Sequence, residues 1–445
     1  MNQEKSYRSS FILLTVLFFL WGFITVLVDS LIPRLRELFT LSYFQAGMVQ
    51  FAFFGAYFIL SIPASFILSK IGYKRGIILG LITMAVGCLL FYPAASYREF
   101  SIFMLAYFIL AGGMTVLQVA ANPYVAALGS EDGASSRLNL SQAFNSVGTA
   151  IAPIIGALYI LSDKIKTPEE ISSLVGAAKE TYLTAEAAAV QTPFIGLAIF
   201  IGLIAVVFFF AKLPKLISEE STGTYAQAFK QKNLMLGVLG IFFYVGAEVA
   251  IGSYLINYFL DMNLVPLVRD SSVMMNTANF IANLFQKSLD GADDKALLGI
   301  FVLFYWTGAM VGRFVGSYLT TVMKPGKVLG VFATLAVTLI VISMSTTGLV
   351  SMWTIIAVGL FNSIMFPTIF TLAIDGLGPL KPKASGLLCT AIVGGAIIPP
   401  LFGLLTDNVG FKTALIFVIC CYGYILFYGL KNTRSKHKNV TEYSL

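Results

Sequence analysis

Residues 11–28 read FILLTVLFFLWGFITVLV, a run of eighteen residues without a charged side chain. A helix needs about 20 mostly apolar residues to cross the roughly 30 Å hydrocarbon core of a bilayer, where no water satisfies backbone groups. The residues before the run are mostly polar, and the run continues without a small-residue cleavage site. We therefore interpret it as the first membrane-spanning helix and not as a removable signal peptide.

The rest of the chain repeats this composition. Of its 445 residues, 58% are hydrophobic and 11% are charged, and the mean hydropathy is +0.85. Soluble domains are about 45–50% apolar and about 25% charged, so a soluble protein is excluded. Twelve apolar runs are predicted to cross the membrane: residues 10–33, 45–69, 76–95, 100–127, 138–161, 193–212, 233–260, 297–321, 327–347, 349–375, 384–405 and 411–430.

A more polar stretch at 213–232 separates two halves of similar length, 1–212 and 233–445. The halves share three motifs at nearly one offset: Gly55-Ala56 recurs as Gly308-Ala309, Pro123 as Pro367, and Gly148-x4-Pro153-x2-Gly156 as Gly395-x4-Pro400-x2-Gly403. This duplication predicts an all-α membrane protein with twelve transmembrane helices in two pseudo-symmetric six-helix bundles, joined by a cytoplasmic linker. Two similar halves are typical of transporters, because one half can rock against the other around a midplane site.

The charged residues indicate how the chain is oriented. Its formal net charge is +7, but the basic residues lie singly between apolar runs, which argues against nucleic-acid binding. Alternate loops place eighteen Lys and Arg on the side of the amino terminus and ten opposite, with Arg313 inside a span as the last of 29. The positive-inside rule then predicts a multi-pass protein of the cytoplasmic membrane with both termini in the cytoplasm.

All four cysteines lie in apolar runs, where buried thiols are expected rather than disulfides or metal ligands.

Two carboxyl groups inside predicted spans are candidates for proton coupling. Asp29 lies one turn after Thr25 and two turns after Trp21 on one side of the first span, and Glu248 shares a face of the seventh span with Tyr244. A charged carboxyl group is costly in hydrocarbon, so reversible protonation is a natural role for it. Alternatively, Asp29 caps its helix or lies at the outer interface, and water or a partner neutralises the cost of burying Glu248.

Amide side chains form faces on the fourth and fifth predicted spans. Gln118 and Asn122 are four residues apart, and Asn139, Gln142 and Asn145 recur at every third residue. Amides both donate and accept hydrogen bonds, which suits a hydroxyl-rich neutral sugar, whereas a phosphate ester would call for arginines and a cation for carboxylates. We expect Asn139 to bond neighbouring helices together and the other four to contact substrate, with helix bonding as their alternative role.

Three further side chains complete the candidate site. Asn362 lies in the tenth span, one turn from Met365. Trp21 and Tyr244 carry flat rings that can pack on the apolar face of a pyranose, although membrane-interface or packing roles suit them equally well. Arg313 follows a glycine-rich stretch in the cytoplasmic half of the eighth span, where we expect a structural ion pair or a gate.

Five stretches of the sequence are distinctive: Phe18-Phe19-Leu20-Trp21 with Asp29 eight residues after the Trp, Ala120-Ala121-Asn122-Pro123-Tyr124-Val125, Arg137-Leu138-Asn139-Leu140, Tyr244-Val245-Gly246-Ala247 and Phe366-Pro367-Thr368-Ile369-Phe370. Together they resemble the fucose–galactose–glucose:proton symporters of the major facilitator superfamily. The resemblance covers essentially the whole chain and implies the major facilitator fold with transport by alternating access.

The resemblance also implies roles for individual residues. The loop Gly72-Tyr73-Lys74-Arg75 looks like a reduced form of the superfamily's basic loop, a cytoplasmic gating element, so Lys74 and Arg75 join Arg313 as gating candidates. In fucose-transporting members a first-helix Asp and a fourth-helix Glu form the key ionisable pair. Asp29 matches the Asp, whereas Gln118 stands at the position of the Glu. Glucose, galactose or N-acetylglucosamine is therefore a better expectation than fucose.

We thus expect a secondary active transporter that takes up a hexose such as glucose or galactose together with a proton. The alternatives are facilitated or sodium-coupled transport of a related sugar, N-acetylglucosamine or fucose, and, from another class, a non-transporting sugar receptor. The chain contains no H-E-x-x-H pair, G-x-S-x-G elbow or P-loop, so we expect no enzyme, cofactor or metal centre. The expected partners are the sugar, a proton or sodium ion and the lipid bilayer, with the protein as a monomer.

Overall fold

A computed structural model describes residues 2–38, 43–159, 173–214, 223–284, 289 and 293–434, and all regular elements in this part of the chain are helical. We number the α-helices in chain order: α1 Asn2–Leu38, α2 Tyr43–Ile71, α3 Tyr73–Tyr97, α4 Phe100–Ala127, α5 Ala134–Tyr159, α6 Ala177–Phe210, α7 Tyr225–Phe229, α8 Lys232–Asp261, α9 Val265–Asp270, α10 Ser272–Leu284, α11 Asp294–Val322, α12 Pro325–Ser345, α13 Gly348–Asn362, α14 Met365–Ile374, α15 Lys381–Thr390, α16 Gly394–Val409 and α17 Phe411–Arg434.

Eleven stretches within the described ranges are long and apolar enough to cross a membrane, and α5 carries the predicted fifth run. The prediction of an all-helical protein with twelve spans is therefore confirmed. Two of the spans are broken. Residues 348–374 form α13 and α14, and residues 378–409 form α15 and α16 with a short 3-10 turn at Ala391–Val393 between them.

Proline explains the first of these breaks. Pro367 has no backbone N–H, so the carbonyl of Ser363, four residues earlier, loses its helical hydrogen bond. Arg313 on α11 replaces it, because its Nε donates to the Ser363 carbonyl at 3.2 Å. At the end of α13 a charged side chain therefore bonds to a buried backbone oxygen that the helix leaves unpaired.

The equivalent proline of the sequence repeat has the same consequence. Pro123 lies inside α4 and leaves the carbonyl of Val119 without its usual partner. The hydroxyl of Ser385 on α15 donates to that carbonyl at 2.8 Å. Both prolines therefore create an acceptor that a side chain from a distant part of the sequence satisfies.

The chain forms two compact units, and each draws a segment from the opposite half of the sequence. The first contains Met1–Leu128, Phe144–Thr222 and Ser385–Thr390; the second contains Gly129–Ala143, Gly223–Ala384 and Ala391–Leu445. At the repeat offset of 247, residues 385–390 correspond to residues 138–143, so each unit receives an equivalent segment. The predicted linker, 213–232, lies partly outside the described residues, and its boundaries stay a prediction.

Helices within each unit pack through small residues. In the first unit α3 packs along α4 and α6, and in the second α8 packs on α14, α16 and α17 while α12 packs on α13 and α17. Gly80 and Gly87 of α3 face the backbone of α4, and a Cβ built on Gly87 would lie 2.6 Å from the backbone nitrogen of Leu110. Close backbone approach at small residues is a main source of helix association in membranes.

This geometry predicts that Gly87→Ala destabilises the protein. The added methyl group must displace the α4 backbone, an overpacking cost of about 1–3 kcal/mol. Gly196→Ala is the matched control, since a Cβ at Gly196 on α6 meets no atom within 4 Å; it should raise stability by about 0.5–1 kcal/mol through helix propensity. Thermal unfolding midpoints of the purified proteins in detergent measure both effects. A Gly87→Ala midpoint at or above the wild-type value would refute the proposed close contact.

Candidate substrate and proton site

In the first unit, α1 and α5 cross closely at Gly22. The Nδ2 of Asn145 donates to the Phe18 carbonyl at 2.9 Å, and a Cβ on Gly22 would lie 2.8 Å from that nitrogen. Trp21 packs edge-on against Phe18, with ring centroids 5.6 Å apart, and is 8% exposed. The structure thus brings Asn145 and Trp21 together around Phe18. The amide nitrogen of Asn145 serves helix packing, and its contact with substrate stays a prediction.

The α4 amide face lies beside α1. The hydroxyl of Thr25 contacts the sulfur of Met114 at 3.7 Å. Successive spans alternate in direction, so α1 and α4 run antiparallel, and Trp21, one turn before Thr25, is at the level of Gln118, one turn after Met114. Gln118 is 7% exposed, and nothing in the described chain hydrogen-bonds to its side chain.

Asn122, one turn further along α4, is fully buried. Neither its Nδ2 nor its Oδ1 has a hydrogen-bond partner among the described residues. Each unsatisfied buried polar group costs about 1–3 kcal/mol. An amide that leaves both of its polar atoms unsatisfied inside a membrane span is therefore a marked exception to the rule that buried polar groups are paired.

The second unit contains a network of fully buried phenol and amide groups. Asn362, at the end of α13, donates from Nδ2 to the hydroxyl of Tyr305 at 2.6 Å and to that of Tyr422 at 3.3 Å. The Tyr305 hydroxyl lies 3.5 Å from the backbone carbonyl of Glu248, to which it donates. Asn362 Oδ1 has no partner in the described chain. The network holds Asn362 rigidly while leaving one acceptor unused.

Glu248 lies next to this network. Its side chain is partly exposed, but Oε1 is buried without a hydrogen-bond partner in the described chain, as is the hydroxyl of Tyr244 one turn earlier. The two groups are close enough to interact electrostatically with each other and with Arg313. The guanidinium of Arg313 also approaches the backbone carbonyl of Gln142, 3.5 Å from Nη1. A carboxyl group therefore lies beside a fixed positive charge that is held by backbone oxygens.

The remaining candidates occupy different settings. Asn139 bonds to the Ser135 carbonyl at 2.8 Å and to the Thr368 hydroxyl at 3.1 Å, the helix-bonding role expected for it. Lys74 donates to the Phe209 carbonyl at 2.8 Å, in the last turn of α6, while Arg75 is exposed. Asp29 belongs to α1, but its side chain lies outside the described residues.

Tyr305 and Tyr422 were not expected from the sequence. A phenol in the middle of a span must find a hydrogen-bond partner, which is the signal that could have identified them. That signal is weak here, because the chain contains 20 tyrosines. The structure adds them to the site as the side chains that position Asn362.

Comparisons with known proteins agree with these features. The Major Facilitator Superfamily profile matches residues 10–392. The chain is 45% identical to a glucose/galactose transporter of Brucella abortus biovar 1 (strain 9-941) over 437 residues, 98% of this chain and 96% of that protein. It is 42% identical to a putative glucose/galactose transporter of Helicobacter pylori (strain J99), covering 96% and 97% of the two chains. It is 34% identical to the L-fucose-proton symporter of Escherichia coli (strain K12), covering 96% and 94%.

Solved structures give the same result. The structure of the Escherichia coli fucose:proton symporter matches with a TM-score of 0.84 at 31% identity, over 97% of this chain and 100% of that one. The human organic anion transporter MFSD10 matches with a TM-score of 0.65 at 14% identity, a likeness of fold alone. The resemblance drawn from the sequence motifs and the predicted fold of two six-helix bundles are both confirmed, and the chain belongs to the Major Facilitator Superfamily.

Proposed function

We propose that this protein is a proton-coupled symporter that imports a hexose of the glucose or galactose type by alternating access. The names of its relatives support both parts of the proposal, since the two with the higher identity are named as a glucose/galactose transporter and a putative glucose/galactose transporter, and the third is named as a proton symporter. Facilitated or sodium-coupled transport is the alternative. We further propose that the protein acts as a monomer in the cytoplasmic membrane with both termini in the cytoplasm.

One observation carries the substrate class. Each unit contains buried polar atoms inside membrane spans that the described chain does not satisfy: both amide atoms of Asn122 in the first, and Asn362 Oδ1 and the Tyr244 hydroxyl in the second. Amide and phenol groups donate and accept without carrying charge. A neutral polyol offers the same two capacities, so binding it would recover the desolvation cost of these groups.

Further side chains of the site fit the same substrate. Gln118 in the first unit and Gln142 in the second are nearly buried amides, and Asn145 is half-buried and bonds to Phe18, the residue on which the Trp21 ring packs. The rings of Trp21 and Tyr244 supply apolar surface for the C–H face of a pyranose. None of these five side chains carries a charge, and the Nε of the nearby Arg313 is engaged by the Ser363 carbonyl.

Glu248 is our candidate for the proton carrier in the second unit, together with Asp29 in the first. When deprotonated, Glu248 is stabilised by the charge of Arg313, and when protonated it becomes a hydrogen-bond donor and releases that attraction. Gln118 stands where the resemblance places a second carboxyl group in fucose transporters. Glu248 therefore supplies an ionisable side chain that the fourth span lacks. The gating roles of Lys74, Arg75 and Arg313 remain part of this proposal.

Glu248→Gln should abolish proton-driven accumulation while retaining sugar exchange. Glutamine keeps the shape of the side chain but releases no proton. The measurement is uptake of labelled glucose and galactose into proteoliposomes under an imposed inward proton gradient, alongside counterflow without a gradient. Asp29→Asn should behave in the same way.

Glu99→Gln is the control, because Glu99 is exposed outside the spans and forms no side-chain cap. Wild-type accumulation should collapse with a proton ionophore and should not require external sodium. Full accumulation by Glu248→Gln would remove Glu248 from coupling, and an absolute sodium requirement would favour the alternative.

Asn122→Leu should stabilise the protein and abolish sugar transport. Leucine branches at the same atom as asparagine and removes two unsatisfied polar atoms, a gain of about 1 kcal/mol or more. The matched control is Asn233→Leu, which loses a hydrogen bond from Nδ2 to the Leu372 carbonyl at 2.9 Å and should lower stability. Thermal unfolding midpoints and counterflow test the pair. Destabilisation by Asn122→Leu as large as that by Asn233→Leu, or normal transport by it, would contradict the proposed role of Asn122.

A further inference from the structure

A cavity of about 470 Å³ lies at one end of the second unit, away from the candidate site. It opens where α8 and α16 approach their carboxyl ends and α17 begins. Its volume is in the range of small-molecule sites, roughly 300–1,000 Å³. The lining residues are Tyr254, Asn257, Pro400, Gly403, Leu404, Thr406, Asp407 and Phe411.

Aromatic rings form one wall of the cavity, and the local sequence fixes them. Tyr254 packs edge-on against Phe402, with ring centroids 5.4 Å apart, and lies 6.4 Å from Phe411. Gly410 has a φ of +78°, the left-handed region that favours glycine, and this turn brings Phe411 back toward α8. A Cβ on Gly403 would collide with the Tyr254 hydroxyl, so glycine keeps the ring where it is.

Two polar side chains without hydrogen-bond partners in the described chain also line the cavity. Asn257 and Asp407 are both exposed, and neither hydrogen-bonds to any described part of the chain. The Tyr254 hydroxyl is close enough to Asp407 to interact with it electrostatically. The neighbouring cation Lys412 donates to the Thr346 carbonyl at 2.5 Å. The carboxylate of Asp407 and the amide of Asn257 are therefore both available to a ligand.

These groups together select a chemical class of ligand. A carboxylate accepts hydrogen bonds from adjacent hydroxyl groups, an amide donates and accepts, and an aromatic ring packs on an apolar C–H face. An anion would be repelled by Asp407, and the cavity is much larger than a bare cation requires. We propose that this cavity is a second, peripheral binding site for the transported sugar, an inference that rests on the proposed function.

The two sites are separate. Tyr254 follows Tyr244 by ten residues on α8, which at 1.5 Å per residue is about 15 Å along the helix axis. One hexose therefore cannot touch both. By the predicted orientation, α8 starts on the cytoplasmic side and its carboxyl end faces the outside. A sugar held there is concentrated at the outer mouth before it moves inward.

Asn257→Ala and Asp407→Asn should raise the KM for external sugar about tenfold, equivalent to about 1.4 kcal/mol, with the maximal rate retained. Gly403→Ala should act similarly by pushing the Tyr254 ring into the cavity without altering charge. The control is Asn408→Ala, next to Asp407, because Asn408 Nδ2 bonds only within its helix, to the Leu404 carbonyl at 2.7 Å. Initial uptake rates of labelled galactose and glucose by intact cells give these constants.

A second readout is independent of transport. Hydroxyl-radical footprinting of the purified wild-type protein should show Tyr254 protected by galactose or glucose, whereas Tyr97, which is 72% exposed on α3, should be unaffected. Protection should disappear in Asp407→Asn. It should persist in Asn122→Leu, which alters only the inner site.

The outcomes separate the two proposals. Normal accumulation by the wild type, with unchanged KM in the three cavity variants and no protection of Tyr254, would overturn the peripheral site and leave the proposed function intact. No accumulation of any sugar by the wild type would overturn the proposed function. In that case the footprinting result alone would decide whether the cavity binds sugar. Protection of Tyr254 would support sugar binding by the cavity, and lack of protection would reject it.

Discussion

The absence of water from the hydrocarbon core determines how polar groups in this protein are arranged. A polar atom in a span must be paired inside the protein or meet a ligand or a hydrated cavity. The chain mostly follows the first route. The hydroxyls of Tyr258, Ser343 and Ser351 lie within 3.2 Å of one another, and the carbonyls released by the two prolines of the repeat are taken up by Ser385 and Arg313. Pairing is so general that the groups left unpaired carry information.

Several of those unpaired groups belong to the substrate site that we propose. Buried atoms without a hydrogen-bond partner in the described chain occur on Asn122, Tyr244, Glu248 and Asn362. The residues around Asn362 and Glu248 are well bonded. Tyr305 and Tyr422 hold Asn362, and the break at Ser363 holds Arg313 beside Glu248. A site whose side chains are already held in place while some of their polar atoms remain unpaired is preorganised. Preorganisation reduces the entropy lost when the side chains are ordered on binding. A ligand that satisfies these atoms would recover the free energy spent on desolvating them during folding.

The sequence predicted the spans for physical reasons, and it missed other features for equally physical ones, while its site residues stay a prediction. Span length and hydropathy follow from bilayer thickness, so twelve helices were predictable. The bonding role of Asn139 followed from the cost of an amide in hydrocarbon. The breaks at Ser363 and Ala391 were not predicted, because the hydropathy of a span does not depend on whether its helix is continuous. The partners of Asn362 and Arg313 come from helices dozens of residues away, and a pattern within one helix contains no such information. Asp29 remains a prediction from sequence alone.

The duplicated halves share the position of a helix proline but differ in the side chains around it. Pro123 and Pro367 release equivalent carbonyls, yet a neutral hydroxyl satisfies the first and a guanidinium the second. That positive charge makes a carboxyl group at Glu248 tolerable in the second unit, since an isolated charge there would be far more costly. The fourth span of the first unit carries the neutral amides Gln118 and Asn122 and no carboxyl group. Duplication therefore preserved a freed carbonyl in each unit, while the side chain that satisfies this carbonyl is neutral in one unit and charged in the other.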